Sequence, residues 1–247
     1  MRSKILAGLR NNEFHLVYQP QMTADGSSAM SIEALVRWTT AEGPVPLDIF
    51  LKAAEENGSI VELGEAILER ACLDALNWPR LRVAVNVSAV QIRELNFPQR
   101  VEQIVRSTGL PFHRLEIELV ESVFIENFEQ ARTTLNYFRS LGITIALDDF
   151  GTGYSSLTYL CKLPLDKIKI DRSFITNIDK VSSAAIVQAI VALARALGLK
   201  VTAEGVETQE QQRFLKACGV HFLQGYLFSK PVPAEAISAL LSPVKAA

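Results

Sequence analysis

The chain has 247 residues, 49% hydrophobic and 21% charged, with a formal net charge of -2. This is enough apolar content for a large core in one domain, and the near-neutral balance argues against a basic surface for polymeric nucleic acid. Three widely spaced cysteines, Cys72, Cys161 and Cys218, exclude a disulfide framework or zinc ribbon and fit a reducing, cytoplasmic setting.

Residues 1–10 carry basic side chains without a long apolar run behind them. They read as a helical lead-in or linker from an upstream sensory module rather than a signal peptide, with the domain proper spanning 11–247. Short β-branched runs then follow at 14–18, 32–36, 81–87, 115–119, 143–147, 167–170, 200–203 and 221–224. Between them lie longer amphipathic runs at 46–56, 60–78, 98–108, 128–141, 181–197 and 208–217, with a last one at 234–241. The most apolar stretch, Ile186–Leu199, is broken by Gln188 and Arg195 on one helical face, as in a helix packed on a core; no membrane contact is expected. Alternating strands and helices imply parallel pairing, and about eight strands in about 250 residues match a TIM (β/α)8 barrel. One connection departs from that rule. Between Tyr18 and Ile32 there is no room for a crossover helix, and Asp25-Gly26 reads as a hairpin turn. The predicted fold is therefore α/β, a modified TIM barrel with its first strand antiparallel.

The strand ends are rich in oxygen ligands. The second strand carries Glu33, with Arg37 beyond it; the third ends in Asn86-Val87-Ser88; the fourth holds Glu118, followed by Glu121. The fifth ends in Asp148-Asp149, the sixth in Lys169 and Asp171, the seventh in Glu204, followed by Glu207, and the eighth in Gln224. In a parallel barrel these ends share one mouth. Any one carboxylate there can be a helix cap or a solvent-facing group. Several ionised together would raise one another's pKa, so the cluster requires cations. No histidine joins it; His15, His113 and His221 stand near strand starts and read as surface or packing residues. Oxygen-only donors favour Mg²⁺ or Mn²⁺ over zinc. The Asp148-Asp149 pair points to two bridged ions, and two ions about 3.5–4 Å apart are an established device for phosphodiester hydrolysis. Such a tight site predicts inhibition by Ca²⁺, whose coordination is longer and looser.

Lys169 is placed to orient an attacking hydroxide or neutralise a phosphate oxygen; its ordinary alternative is a salt bridge to Asp166 or Asp171. Arg37 can grip a phosphate or a guanine edge in bidentate fashion, the alternative being a surface ion pair. Gln19 and Gln224 are candidates for holding base or phosphate groups. The run from Phe150 to Leu157 contains Gly-x-Gly after a strand, but Ser156 replaces the third glycine and two aspartates precede it. A pyrophosphate would meet those carboxylates, so a nicotinamide fingerprint is rejected, and a mobile loop that reshapes the site is expected instead.

Glu33-Ala34-Leu35-Val36-Arg37-Trp38 resembles the signature of EAL domains. The resemblance runs from about Phe14 to Pro233 and includes Tyr18-Gln19-Pro20, Asn86-Val87-Ser88, Glu118-Leu119-Val120-Glu121-Ser122 and the run from Asp148 to Leu157. It continues through Lys169–Phe174, Ala203–Glu207 and Gln224-Gly225-Tyr226. It implies hydrolysis of cyclic di-GMP to linear pGpG with two Mg²⁺ or Mn²⁺ ions. Glu33, Asn86, Glu118 and Asp148 match ligands of the first ion; Asp148, Asp149 and Glu204 match the second side. Glu204 or Lys169 would handle the proton of water, and Glu121 would steady the loop after strand five. Gln19, Leu35, Arg37, Asp171, Glu207 and Gln224 match positions near the nucleotide. The resemblance also implies a homodimer. Val120 departs from the usual Thr, removing a hydroxyl and no ligand. The alternative is a receptor that binds cyclic di-GMP without cleaving it; a third reading, an unrelated barrel enzyme of metal-assisted proton abstraction, is opposed by Asp148-Asp149-Phe150-Gly151 together with Asn86-Val87-Ser88.

Overall fold

The computed structural model describes residues 1–121, 123, 127–151 and 160–241. A helix α1 (Arg2–Arg10) leads into β1 (Phe14–Thr23), β2 (Ala29–Thr40) and the short β3 (Gly43–Val45), followed by α2 (Leu47–Glu56) and α3 (Ile60–Ala75). The chain continues through β4 (Arg82–Asn86), α4 (Ala89–Arg93), α5 (Phe97–Thr108), β5 (Leu115–Val120), α6 (Phe128–Leu141) and β6 (Thr144–Phe150). Next come β7 (Lys167–Ile170), α7 (Arg172–Thr176), α8 (Val181–Ala196), β8 (Lys200–Ala203) and α9 (Gln209–Cys218). It closes with β9 (Phe222–Leu223), β10 (Val232–Pro233) and α10 (Ala234–Leu241).

Eight of the described strands close into a barrel in the order β1-β9-β8-β7-β6-β5-β4-β2, with β2 pairing back to β1. The pairs from β2 through β4, β5, β6, β7 and β8 to β9 are parallel, whereas β1 is antiparallel to both β2 and β9. The reason for the reversal is local. Gly26 takes φ +74°, and the Asp25 carboxylate accepts from the Ser27 N–H at 3.0 Å and the Thr23 hydroxyl at 2.6 Å. That Asx-type turn returns the chain within a few residues. The expected modified barrel is thus what the chain adopts; β3 and β10 are edge additions that the sequence pattern did not reveal.

The core lies outside the barrel wall rather than within it. Ile32 and Ala34 of β2, Val83 and Val85 of β4, Ile117 and Leu119 of β5, and Ile168 and Ile170 of β7 are buried in the large apolar cluster beneath the surrounding helices. Side chains alternate along a strand, so the residues between them face the barrel axis: Ser31, Glu33, Ala84, Asn86, Glu116, Glu118, Lys167 and Lys169. Barrel interiors are usually filled by branched apolar side chains, and this one is largely polar. A smaller apolar cluster of Ile5, Val36, Trp38, Phe50 and Leu63 seats α1. There Trp38 stacks on Phe14 with ring centroids 4.9 Å apart and donates its indole N–H to Glu13 at 2.9 Å. No described helix is long and apolar enough to cross a membrane. The three cysteines are free.

Candidate metal centre at the barrel mouth

The C-terminal ends of the parallel strands converge on one ammonium group. Lys169 Nζ lies 2.6 Å from Glu118, 2.7 Å from Glu204, 2.9 Å from Asp148 and 3.6 Å from Glu33. Its side chain is fully buried, with 0% relative exposure. Neither local ion pair considered for it, to Asp166 or Asp171, is among its salt bridges; Asp166 instead meets Arg139 at 3.2 Å and the Ile145 N–H at 2.9 Å. The partners of Lys169 come from β2, β5, β6 and the end of β8, so only barrel closure brings them together.

Period-two alternation places Glu33, Leu35 and Arg37 on one face of β2. The Glu33 carboxylate accepts from Asn86 Nδ2 at 2.7 Å and Gln224 Nε2 at 2.6 Å. Gln224 also donates to Gln19 Oε1 at 3.1 Å, and Gln19 Nε2 donates to the Ser229 carbonyl at 3.0 Å. Asp148 and Asp149 need a special arrangement, because neighbours in a regular strand point to opposite faces. The β6–β7 register breaks between Leu147 and Phe150, and Asp149 adopts φ +52°. A left-handed backbone at a non-glycine residue costs about 1–3 kcal/mol and tends to occur at functional sites. Its outcome here is two carboxylate triads, Glu33–Glu118–Asp148 and Asp148–Asp149–Glu204, each with ligand oxygens within 4.8 Å of one another and with Asp148 common to both.

The electrostatics follow from burial against charge. Burial alone would lower Lys169, but the four carboxylates outweigh it and hold its pKa well above the ordinary value. Burial raises Glu118, reinforced by Glu33 and Asp148, despite the pull of Lys169. Glu33 goes the other way: Lys169, Gln224 and Asn86 overcome its burial and keep it below the usual carboxylate range. Burial pushes Glu204 up to about 8, with Asp148 and Glu33 adding to the shift and Lys169 opposing it. Asp149 is raised by burial and then by Asp148 and Asp171. Burial thus works against the charge on Glu118 and Glu204, and the Lys169 ammonium opposes it.

The donor set fits hard divalent cations. Every candidate ligand is an oxygen, and Asn86, with Nδ2 turned to Glu33, leaves its amide carbonyl available. Among the described residues, Gln224 Oε1 is a buried acceptor with no hydrogen-bond partner.

The other sequence-predicted residues lie around this cluster. Arg37 is half-buried and donates to the Val36 carbonyl at 2.8 Å, and Leu35 is also half-buried. Asp171 caps α7, accepting from the Ser173 N–H at 3.0 Å. Glu207 is exposed. Glu121 accepts from the Gly151 N–H at 3.3 Å, at the start of the loop it was expected to steady. The expected mobile loop itself, and Ser122, fall outside the described residues apart from Phe150 and Gly151. His15 and His113 are exposed, and His221 Nδ1 accepts from the Val201 N–H at 3.1 Å, a packing role.

The sequence reading missed the layer beneath. Lys167 pairs with Glu116 at 2.6 Å, and Gln21 and Ser31 join them, all buried. The signal was present as i, i+2 doublets: Gln19/Gln21, Ser31/Glu33, Glu116/Glu118 and Lys167/Lys169.

A family profile described as "EAL domain" matches residues 2–231. The chain is 40% identical to "Cyclic di-GMP phosphodiesterase NbdA" of Pseudomonas aeruginosa, over 98% of this chain and 32% of that protein. It is 42% identical to "Cyclic di-GMP phosphodiesterase PdeR" of Escherichia coli, over 92% of this chain and 35% of that protein. The chain thus spans about a third of the length of these curated relatives. Among solved structures it resembles "PaMucR Phosphodiesterase, c-di-GMP complex" with a TM-score of 0.91 at 38% identity, covering 95% of this chain and 98% of that one.

Proposed function

Since the chain belongs to the EAL-domain family, we propose that it is a metal-dependent phosphodiesterase that opens cyclic di-GMP to linear pGpG. One observation carries this reading: two carboxylate triads share Asp148 around the buried Lys169 ammonium at the barrel mouth. Glu33, Asn86, Glu118 and Asp148 would hold one divalent ion, and Asp148, Asp149 and Glu204 the second. When bound, Mg²⁺ or Mn²⁺ supplies Lewis acidity, lowering the pKa of water and neutralising charge on the phosphate oxygens.

The chain's own groups do the rest. Lys169 Nζ keeps the carboxylates from splaying and presents positive charge where a phosphate oxygen gains negative charge. Glu204, with its pKa near 8, can take or return a proton close to neutral pH. Arg37 stands one alternation beyond Leu35 on the Glu33 face, placed for a phosphate or guanine edge. Gln224 fixes the Glu33 carboxylate, and Gln19 accepts from the same Gln224 amide and so steadies it.

The test is nucleotide chromatography after incubation of the protein with cyclic di-GMP and Mg²⁺, Mn²⁺ or no metal. Linear pGpG is expected only with metal, and it disappears in a folded Glu33→Ala variant. Intact dinucleotide that stays bound to the wild type with both metals would replace the enzyme with a receptor.

A further inference from the structure

We infer that Gln21, in the polar layer beneath the mouth, is a positioning residue that fixes the Glu118 carboxylate for metal binding; this rests on the metal reading above. Gln21 has no exposed surface. Its Oε1 accepts from Lys167 Nζ at 3.1 Å and the Ser31 hydroxyl at 2.7 Å, and its Nε2 donates to Glu118 Oε1 at 3.2 Å.

The amide can sit only one way round. A lysine ammonium has donors and no acceptor, so the Gln21 atom facing Lys167 must be the carbonyl oxygen. A flip would set an NH₂ against an ammonium and a carbonyl against a carboxylate, both in a low-dielectric interior. Lys167 thereby dictates which end of Gln21 meets Glu118. Glu116 holds Lys167 in turn, at 2.6 Å. Glu118 then has each oxygen anchored by a different strand: Oε1 by Gln21 of β1 and Oε2 by Lys169 of β7, the latter at 2.6 Å. A carboxylate held at both oxygens cannot rotate away from Glu33 and Asp148.

Filling the barrel does not account for this layer. Apolar side chains fill most barrels, and exchanging a buried ion pair for well-packed hydrophobic residues is often neutral or stabilising. Lys167, Glu116 and Gln21 carry a desolvation cost that packing alone does not require, and orientation of a ligand does. Antiparallel β1 makes the contact possible. Its register sets Gln19 opposite Glu33 and Gln21 opposite Ser31, so this strand meets the layers in reverse order and reaches under Glu118.

Mn²⁺ affinity of the purified chain, measured by calorimetry, tests the inference without relying on turnover. Gln21→Met is expected to weaken binding by about 10- to 100-fold, the usual effect of losing a partner behind a metal ligand. Ser31→Ala, which touches the same amide on the side away from Glu118, should bind like the wild type. The double variant Glu116→Gln/Lys167→Met removes the group that orients the amide and should show an intermediate loss, so it carries the test if Gln21→Met does not fold. Wild-type Mn²⁺ affinity in either Gln21→Met or the double variant would overturn the inference. So would losses in Gln21→Met and Ser31→Ala that merely track their falls in Tm. A wild type that binds no Mn²⁺ would instead sink the metal reading itself, which separates the two failures.

Discussion

Lys169→Met removes the one cation that four carboxylates share while keeping most of the side chain's volume. In the wild type that ammonium stands 2.6, 2.7, 2.9 and 3.6 Å from Glu118, Glu204, Asp148 and Glu33. Taking one partner from a buried ion pair costs about 3–5 kcal/mol. For a chain of this size each kcal/mol moves Tm by about 2–4 °C, which gives a fall of roughly 6–20 °C. The sign with pH follows from the carboxylates left behind. Glu118 and Glu204 already titrate above their ordinary values, Glu204 near 8. Without the ammonium they climb further. At acid pH they are protonated and little charge is stranded; as pH rises they must ionise uncompensated or hold protons at increasing cost. The Tm deficit should therefore be small at about pH 5 and large at about pH 8. Excess Mg²⁺ should restore part of it, because binding to the folded state adds stability. Scanning calorimetry at both pH values, with and without Mg²⁺, measures this. A deficit independent of pH, or no deficit at pH 8 without metal, would refute the placement of Lys169 as the compensating charge.

Divalent ions compete with protons for Glu204, whose pKa is pushed up to about 8, so Mn²⁺ affinity should rise with pH up to about 8, with protons released on binding; calorimetry in buffers of different ionisation enthalpy would expose a flat profile. Ca²⁺ should inhibit turnover in Mg²⁺, read as loss of pGpG on chromatography, because its coordination is longer and looser. Gly225→Ala should cost about 3 kcal/mol, the upper end for overpacked sites. A Cβ there would lie 2.1 Å from the Val206 carbonyl oxygen, and the shift would disturb Gln224 beside Glu33; urea unfolding gives the number.

Much of the architecture was legible because it depends on local signals. Asp25-Gly26 announced the reversal of β1, and the carboxylates at successive strand ends announced the mouth. The layer below was hidden by a sign ambiguity. Alternating polar and apolar residues on a strand normally mean that the polar face meets solvent. Here helices cover the outside of the wall, so Ile117 and Ile168 point outward to the helices while Glu116 and Lys167 point to the axis. The alternation is identical in both cases, and only barrel closure tells them apart. The carboxylate partners of Lys169 were hidden for a related reason. Sequence proximity offered Asp166 and Asp171, whereas its real partners stand on strands remote in the chain. The twist at Asp149 was equally out of reach, since a positive φ there depends on the slipped register with β7.

The reversed first strand also decides which pole of the barrel α1 meets. With every strand ascending, the leading peptide would thread in from the floor, at the far pole from the acids. Descending β1 starts at the mouth instead, so α1 docks beside the ligand-bearing strand. Gly8 packs so closely on Trp38 that a Cβ would come within 3.0 Å of the indole nitrogen. Trp38 follows Arg37 directly and sits on the same strand as Glu33. A displacement of α1 is therefore felt by the strand that carries Glu33, through Trp38 and the apolar cluster of Ile5, Val36, Phe50 and Leu63 around it.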